Sequence, residues 1–141
     1  MSRHAAPLRN PDLNSKEWQQ FFAKFKISEG EFTPAFTNLT IGGGVGDVTY
    51  KGRYFKFGAR VWFTVEVLTG GAKTVASTAA STYFLPPLTI AQDNICAAVN
   101  SSGALSYGNG IIDKSQARIY PPTWAATAGD VLISGWYETT F

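Results

Sequence analysis

The chain has 141 residues, with twelve Lys and Arg against ten Asp and Glu and a net charge of +2. That length suits one domain with an appendage, burying roughly two thirds of its unfolded surface with no need of a metal or disulfide staple. The charges are dispersed, which argues against a basic stripe for nucleic acid. One cysteine and one histidine exclude an intrachain disulfide and a zinc site within a single chain.

Residues 1–7 lack the apolar core of a secretory leader, and no apolar run is long enough for a membrane-spanning helix, so neither a signal peptide nor membrane insertion is expected. Residues 2–13 read as an irregular arm, because Pro7 and Pro11 interrupt regular helix, and they carry Arg3, His4 and Arg9. Asn14 is a good N-cap with Glu17 three residues on, the spacing of a capping box. Trp18, Phe21, Phe22 and Phe25 then recur at the i, i+3, i+4, i+7 spacing of one helix face, and the helix is expected to run to about Lys26 and stop at Ser28-Glu29-Gly30. Three turns are marginal alone in water, so the aromatic stripe must be buried against the rest of the chain, a sister copy or another protein. Its place at the end of the chain behind a polar hinge favours a sister copy or partner. Residues 1–30 are accordingly read as an anchoring arm and 31–141 as a β-domain.

After Gly30 the period changes to that of short strands punctuated by Gly, Pro, Asn and Ser. A first strand around Phe32, Phe36, Leu39 and Ile41 is interrupted at Pro34, which suggests an edge. Residues 42–46, Gly-Gly-Gly-Val-Gly, read as a flexible loop. Strands are expected over 47–57 and 59–68. In the latter, Val61, Phe63, Val65 and Val67 share one face while Arg60, Trp62, Thr64 and Glu66 share the other, the clearest period-2 signal in the chain. Trp62 keeps that second face from being plainly polar and suggests it is half covered. Further strands are expected over 74–85, 94–99, 116–120 and 131–139, with short ones around Gly108-Asn109 and a loop at 123–128. About eight strands with regular turns suggest a sandwich, most commonly a jelly roll.

Motifs for chemistry fall away one by one. The glycine stretch is followed by Asp47, not Lys-Ser/Thr, and opens no helix, so it is neither a Walker loop nor a dinucleotide loop. The sole histidine, His4, lies in the arm, which makes a Ser/His/Asp or Cys/His arrangement implausible. Cys96 reads as a small apolar residue in a strand. Asp47, Asp93 and Asp130 read as turn residues. A glycosidase pair among carboxylates such as Asp113 and Glu138 is the one catalytic reading left, and their scattered placement disfavours it. Aromatic residues can stack on sugar rings; Trp124, between Pro-Pro and Ala-Ala, is the one expected to be exposed, with Tyr107 as a second candidate ligand contact.

From Thr49 onward the chain resembles the C-terminal knob domain of bacteriophage tail-fibre and head-fibre proteins. The likeness is carried by residues 48–63 (VTYKGRYFKFGARVWF), by Tyr83-Phe84-Leu85-Pro86-Pro87, and by 128–137 (AGDVLISGWY) with its late Gly-aromatic pair. Residues 6–12 followed by Glu17-Trp18 resemble short N-terminal anchors of phage virion proteins. The resemblance implies an all-β, jelly-roll-like antiparallel sandwich that is homotrimeric, non-enzymatic and free of cofactor or metal, at the virion surface. Only about 30 residues precede the knob, too few for a shaft. The expectation is therefore a cement or decoration protein on the capsid, held to capsid or tail proteins through Arg3, Arg9, Trp18, Phe21, Phe22 and Phe25. The alternative is a short receptor-binding tail fibre protein that recognises host surface glycan.

Overall fold

The computed structural model describes residues 16–23, 27–78, 81–102 and 105–140. In chain order the elements are α1 (Lys16–Ala23), β1 (Ile27–Phe32), β2 (Phe36–Thr37), β3 (Thr40–Gly43), β4 (Val48–Phe57), β5 (Arg60–Thr69) and β6 (Lys73–Ser77). They continue with β7 (Tyr83–Phe84), β8 (Asn94–Asn100), β9 (Leu105–Asp113), β10 (Arg118–Tyr120), β11 (Trp124–Thr127) and β12 (Val131–Glu138). Nine strands form one curled sheet in the order β1-β4-β5-β12-β8-β9-β10-β7-β2, and β11-β6-β3 form a second. All pairings are antiparallel. The chain is an all-β sandwich, as its periodicity suggests, with more and shorter strands than the turn spacing predicts.

The core follows from strand alternation. Val61, Phe63, Val65 and Val67 of β5 are all at most 2% exposed, and the residues between them point outward. β12 lies between β5 and β8 and adds Val131, Ile133 and Tyr137 to the same interior; Cys96, Ala98, Ile112, Ile119 and Phe84 extend it across the sheet. Val75 and Trp124 bring the second sheet into this cluster. The Tyr137 hydroxyl donates to the Leu88 carbonyl at 2.8 Å and accepts from the Leu88 N–H at 3.1 Å, so the one polar atom of a fully buried ring is satisfied twice. Burial pushes its phenol up to about 12.

Two local expectations are corrected. Ser28-Glu29-Gly30 is not a hinge: it lies within β1, paired with β4, so the sheet starts at Ile27 and not near Glu31. Gly30 mimics a helix stop in sequence, but its role is steric. It sits opposite Tyr54, whose ring atoms come within 2.7 Å of where a Cβ would stand, while Phe32 covers Gly52 on the partner strand in the same way. Each glycine makes room for a cross-strand aromatic ring.

The glycine stretch at 42–46 is likewise clasped and not a free connection. Gly44 N–H donates to Ala72 O at 3.1 Å, Ala72 N–H to Val45 O at 2.8 Å, and Gly70 N–H to Asp47 O at 2.7 Å. Gly43 and Gly46 hold φ of +85° and +139°, and a side chain at either would collide with the facing backbone of residues 70–72. The glycines let two turns dock backbone to backbone.

Candidate interaction surface

The outer face of the large sheet is where the structure departs from an ordinary solvated surface. Pairing register sets Phe55 opposite Trp62 and Phe57 opposite both Arg60 and Ile27. It then sets Trp62 opposite Trp136, and Arg60 opposite Glu138. Ile95, one residue from the Gly135–Cys96 pair, falls beside Trp136 and opposite Ile111. Side chains on one face of neighbouring strands form rows across a sheet. These rows make an apolar band crossing β1, β4, β5, β12, β8 and β9. Its seven members, Ile27, Phe55, Phe57, Trp62, Ile95, Ile111 and Trp136, are each between 38% and 59% exposed.

The band is rigid. Phe55 and Trp62 rings sit 5.7 Å apart at 53°. The Arg60 guanidinium lies 4.2 Å from the Trp136 ring centre and is held by Glu138 Oε1 through Nη2 at 2.9 Å and Nε at 3.2 Å. The Asn94 side-chain amide donates to the Trp136 carbonyl at 2.8 Å. A cation over the ring and a carboxylate behind it fix the band's lower border. Along the strands away from that border, Glu31 faces Arg53 and Lys51 faces Glu66 in register, so the flanking charged surface is internally balanced. Contiguous exposed apolar area with a polar rim is a mark of an interaction site, whereas singly scattered apolar residues are not. The tilt between Phe55 and Trp62 denies the band the flat plane that stacking against a sugar polymer needs.

The predicted site residues distribute differently. Trp124 is not exposed: it lies in β11 at 4% exposure, its indole N–H donates to the Val75 carbonyl at 3.1 Å, and its ring stacks on Tyr107 at 5.3 Å and 17°. Tyr107 is half-buried and its hydroxyl is near the Asn100 amide at 3.3 Å. The pair ties the two sheets together, so the exposure expected of Trp124 is withdrawn. Pairing of Trp124 with Ser77 on β6 draws the residue inward, a long-range effect invisible in its Pro- and Ala-rich neighbourhood.

In α1, Trp18 and Phe21 pack edge to face at 5.7 Å. Phe22 lies in the same helix. Arg3, Arg9 and Phe25 lie outside the described residues.

Chemistry-bearing residues have structural duties. Asp130 accepts from Thr69 N–H at 3.0 Å and Asp93 from Lys114 N–H at 2.7 Å, so each latches its connection to a segment distant in the chain. Cys96 is 2% exposed, its thiol pushed up to about 12 by burial, which removes thiolate reactivity near neutral pH. Among the described residues no group of three His, Cys, Asp or Glu side chains is placed to hold a metal ion, and no helix is long and apolar enough to cross a membrane.

The sequence reading missed Phe55, Phe57, Ile95, Ile111 and Trp136 as surface residues. The available signal was Trp62 on the outward phase of β5; adding a register to the closing strand would have placed Trp136 beside it. Searches of protein-family models, of curated proteins and of solved structures find no match to this chain.

Proposed function

We propose that this protein is a structural component of a bacteriophage particle: a homotrimeric β-sandwich knob that decorates or cements the capsid surface, attached by its N-terminal arm. The observation that carries the reading is the apolar band on the outer face of the large sheet. A sheet that presents two tryptophans, two phenylalanines and three isoleucines to water is a surface built to be covered, since apolar area removed from water contributes about 25 cal/mol per Å². Covering it with copies of the same chain joins several arms on one rigid body. An arm that binds weakly alone then gains from the raised effective concentration of the second and third contacts. Three-fold symmetry is supported by the resemblance of residues 48–63 and 128–137 to trimeric fibre knobs. Anchoring by the arm is supported by the one-face aromatic spacing of Trp18, Phe21, Phe22 and Phe25.

The arm is tested in the full-length chain. Trp18→Ser with Phe21→Ser leaves the sandwich folded and abolishes co-sedimentation with virions assembled in its presence. Retention of the doubly substituted chain on particles at normal occupancy contradicts the anchor assignment. Because β1 begins at Ile27, a truncation meant to remove only the arm has to stop at residue 26; cutting after Gly30 would also take four of the six residues of an edge strand.

A further inference from the structure

One edge of the nine-stranded sheet is only half covered. β4 pairs with β5 along its whole length, Val48–Phe57, but β1 covers its other side only from Gly52 to Phe57. The chain leaves the sheet after Phe32, because Pro34 has no N–H to give to a ladder and is fully buried. Among the described residues no backbone hydrogen bond reaches the open side of residues 48–51. A cavity of about 530 Å³ opens at this notch, lined by Thr33, Tyr50, Lys51 and Arg53, with Gly52 adding no side chain to fill it.

The open stretch carries two chemistries in alternation. Val48 and Tyr50 are half-buried and pack against the core, whereas Thr49 and Lys51 are exposed on the outer face. Lys51 and Arg53 lie two residues apart on that face, opposite Glu66 and Glu31, yet neither forms an ion pair among the described residues. Glu31 lines the cavity at its β1 end, opposite Arg53, so Lys51 is the charge beside the open stretch. A free strand edge is a template for another extended chain. Strand addition takes its affinity from main-chain hydrogen bonds and its selectivity from alternate side chains.

We infer that residues 48–51 of β4 take a short extended segment of a partner protein as an added strand in line with β1. The stretch spans about 13 Å, room for four residues. Apolar side chains of the segment continue the inner phase of Val48 and Tyr50, and an Asp or Glu on the outer phase meets Lys51. Opposite charges facing one another across neighbouring strands are favourable and like charges unfavourable. Lys51 therefore admits an acidic strand and bars a basic one. No residue of this edge belongs to the apolar band, and the inference does not depend on trimer formation or on the virion reading above.

NMR of the full-length protein tests it with two end-capped pentapeptides, Thr-Val-Glu-Val-Thr and Thr-Val-Lys-Val-Thr. The expected result is that the glutamate peptide, at millimolar concentration, shifts the amide signals of residues 48–51 and slows their hydrogen exchange, while the lysine peptide does neither. Lys51→Ala, which removes an exposed side chain, weakens the glutamate peptide about threefold or more, and Lys51→Glu reverses the preference. Glutamate peptides N-methylated at alternate residues separate strand addition from simple charge attraction. One phase of methylation abolishes binding and the other is tolerated, because only alternate N–H groups of a strand face its neighbour. No response at 48–51 to the glutamate peptide, an equal response to the lysine peptide, an unchanged preference in Lys51→Glu, or equal binding of the two N-methylated forms would each overturn the assignment.

Discussion

The two faces of the nine-stranded sheet come from the same strands in alternation, yet they obey different rules. On the inner face, Val61, Phe63, Val65 and Val67 meet Val131, Ile133 and Tyr137 in a sealed interior. On the outer face, residues one position away present Phe55, Trp62 and Trp136 in an equally continuous row, still 38–40% exposed. The inner face therefore carries the stability of the single chain, and the outer face is the one we propose that other copies cover. Any substitution can be sorted by which of the two it touches.

The largest effect belongs to the inner face. Phe63 contacts the rings of both Phe84 and Tyr137 at 6.1 Å, and Phe63→Ala should cost about 3–5 kcal/mol in urea unfolding at fixed protein concentration. A loss under 1 kcal/mol would mean that the inner face is not the stabilising one. Next comes Tyr137→Phe, which strips the Leu88 N–H and carbonyl of their hydroxyl partner and should cost about 1–3 kcal/mol.

The inner face also sets a pH limit. Tyr137 and Cys96 have ordinary values of 10.0 and 9.0 and folded values of about 12. Between those values the unfolded chain holds fewer protons than the folded one, so stability falls as pH rises. The contribution of these groups is complete below pH 9.0 and is lost as pH approaches about 12. Each group sets a slope of at most about 1.4 kcal/mol per pH unit. Urea midpoints taken across that window check the direction; Cys96→Ala should shallow the fall.

The smallest effect on the fold belongs to the outer face. Glu138→Gln removes an ion pair between side chains that are 46% and 31% exposed, and should change stability by about 0–1 kcal/mol, less at high salt. A larger change would mean that the Arg60 clamp on Trp136 stabilises the fold as well as shaping the band.

How far the sequence reveals this division depends on whether a residue's neighbours are local. β5 is legible because strict alternation over ten residues encodes both its faces without reference to any partner. Trp124 is not, because its burial comes from pairing with β6 some 49 residues earlier in the chain, as its hydrogen bond to Val75 records. Gly30 reads as a helix stop because glycine's freedom is its usual signal, whereas here its missing Cβ admits the Tyr54 ring. The band itself is a property of register: Phe55, Trp62 and Trp136 are unremarkable singly, and they become a surface only once β4, β5 and β12 are aligned.

The central claim is that copies of this chain cover the outer face, and sedimentation equilibrium of the full-length protein beside its Trp62→Ser/Trp136→Ser variant measures that directly. A trimer gives a wild-type mass three times the 15.3 kDa of one chain, and the variant sediments as a single chain with its fold intact by far-ultraviolet circular dichroism. A wild-type protein that stays monomeric at micromolar concentration, or a variant that keeps the wild-type mass, would contradict it.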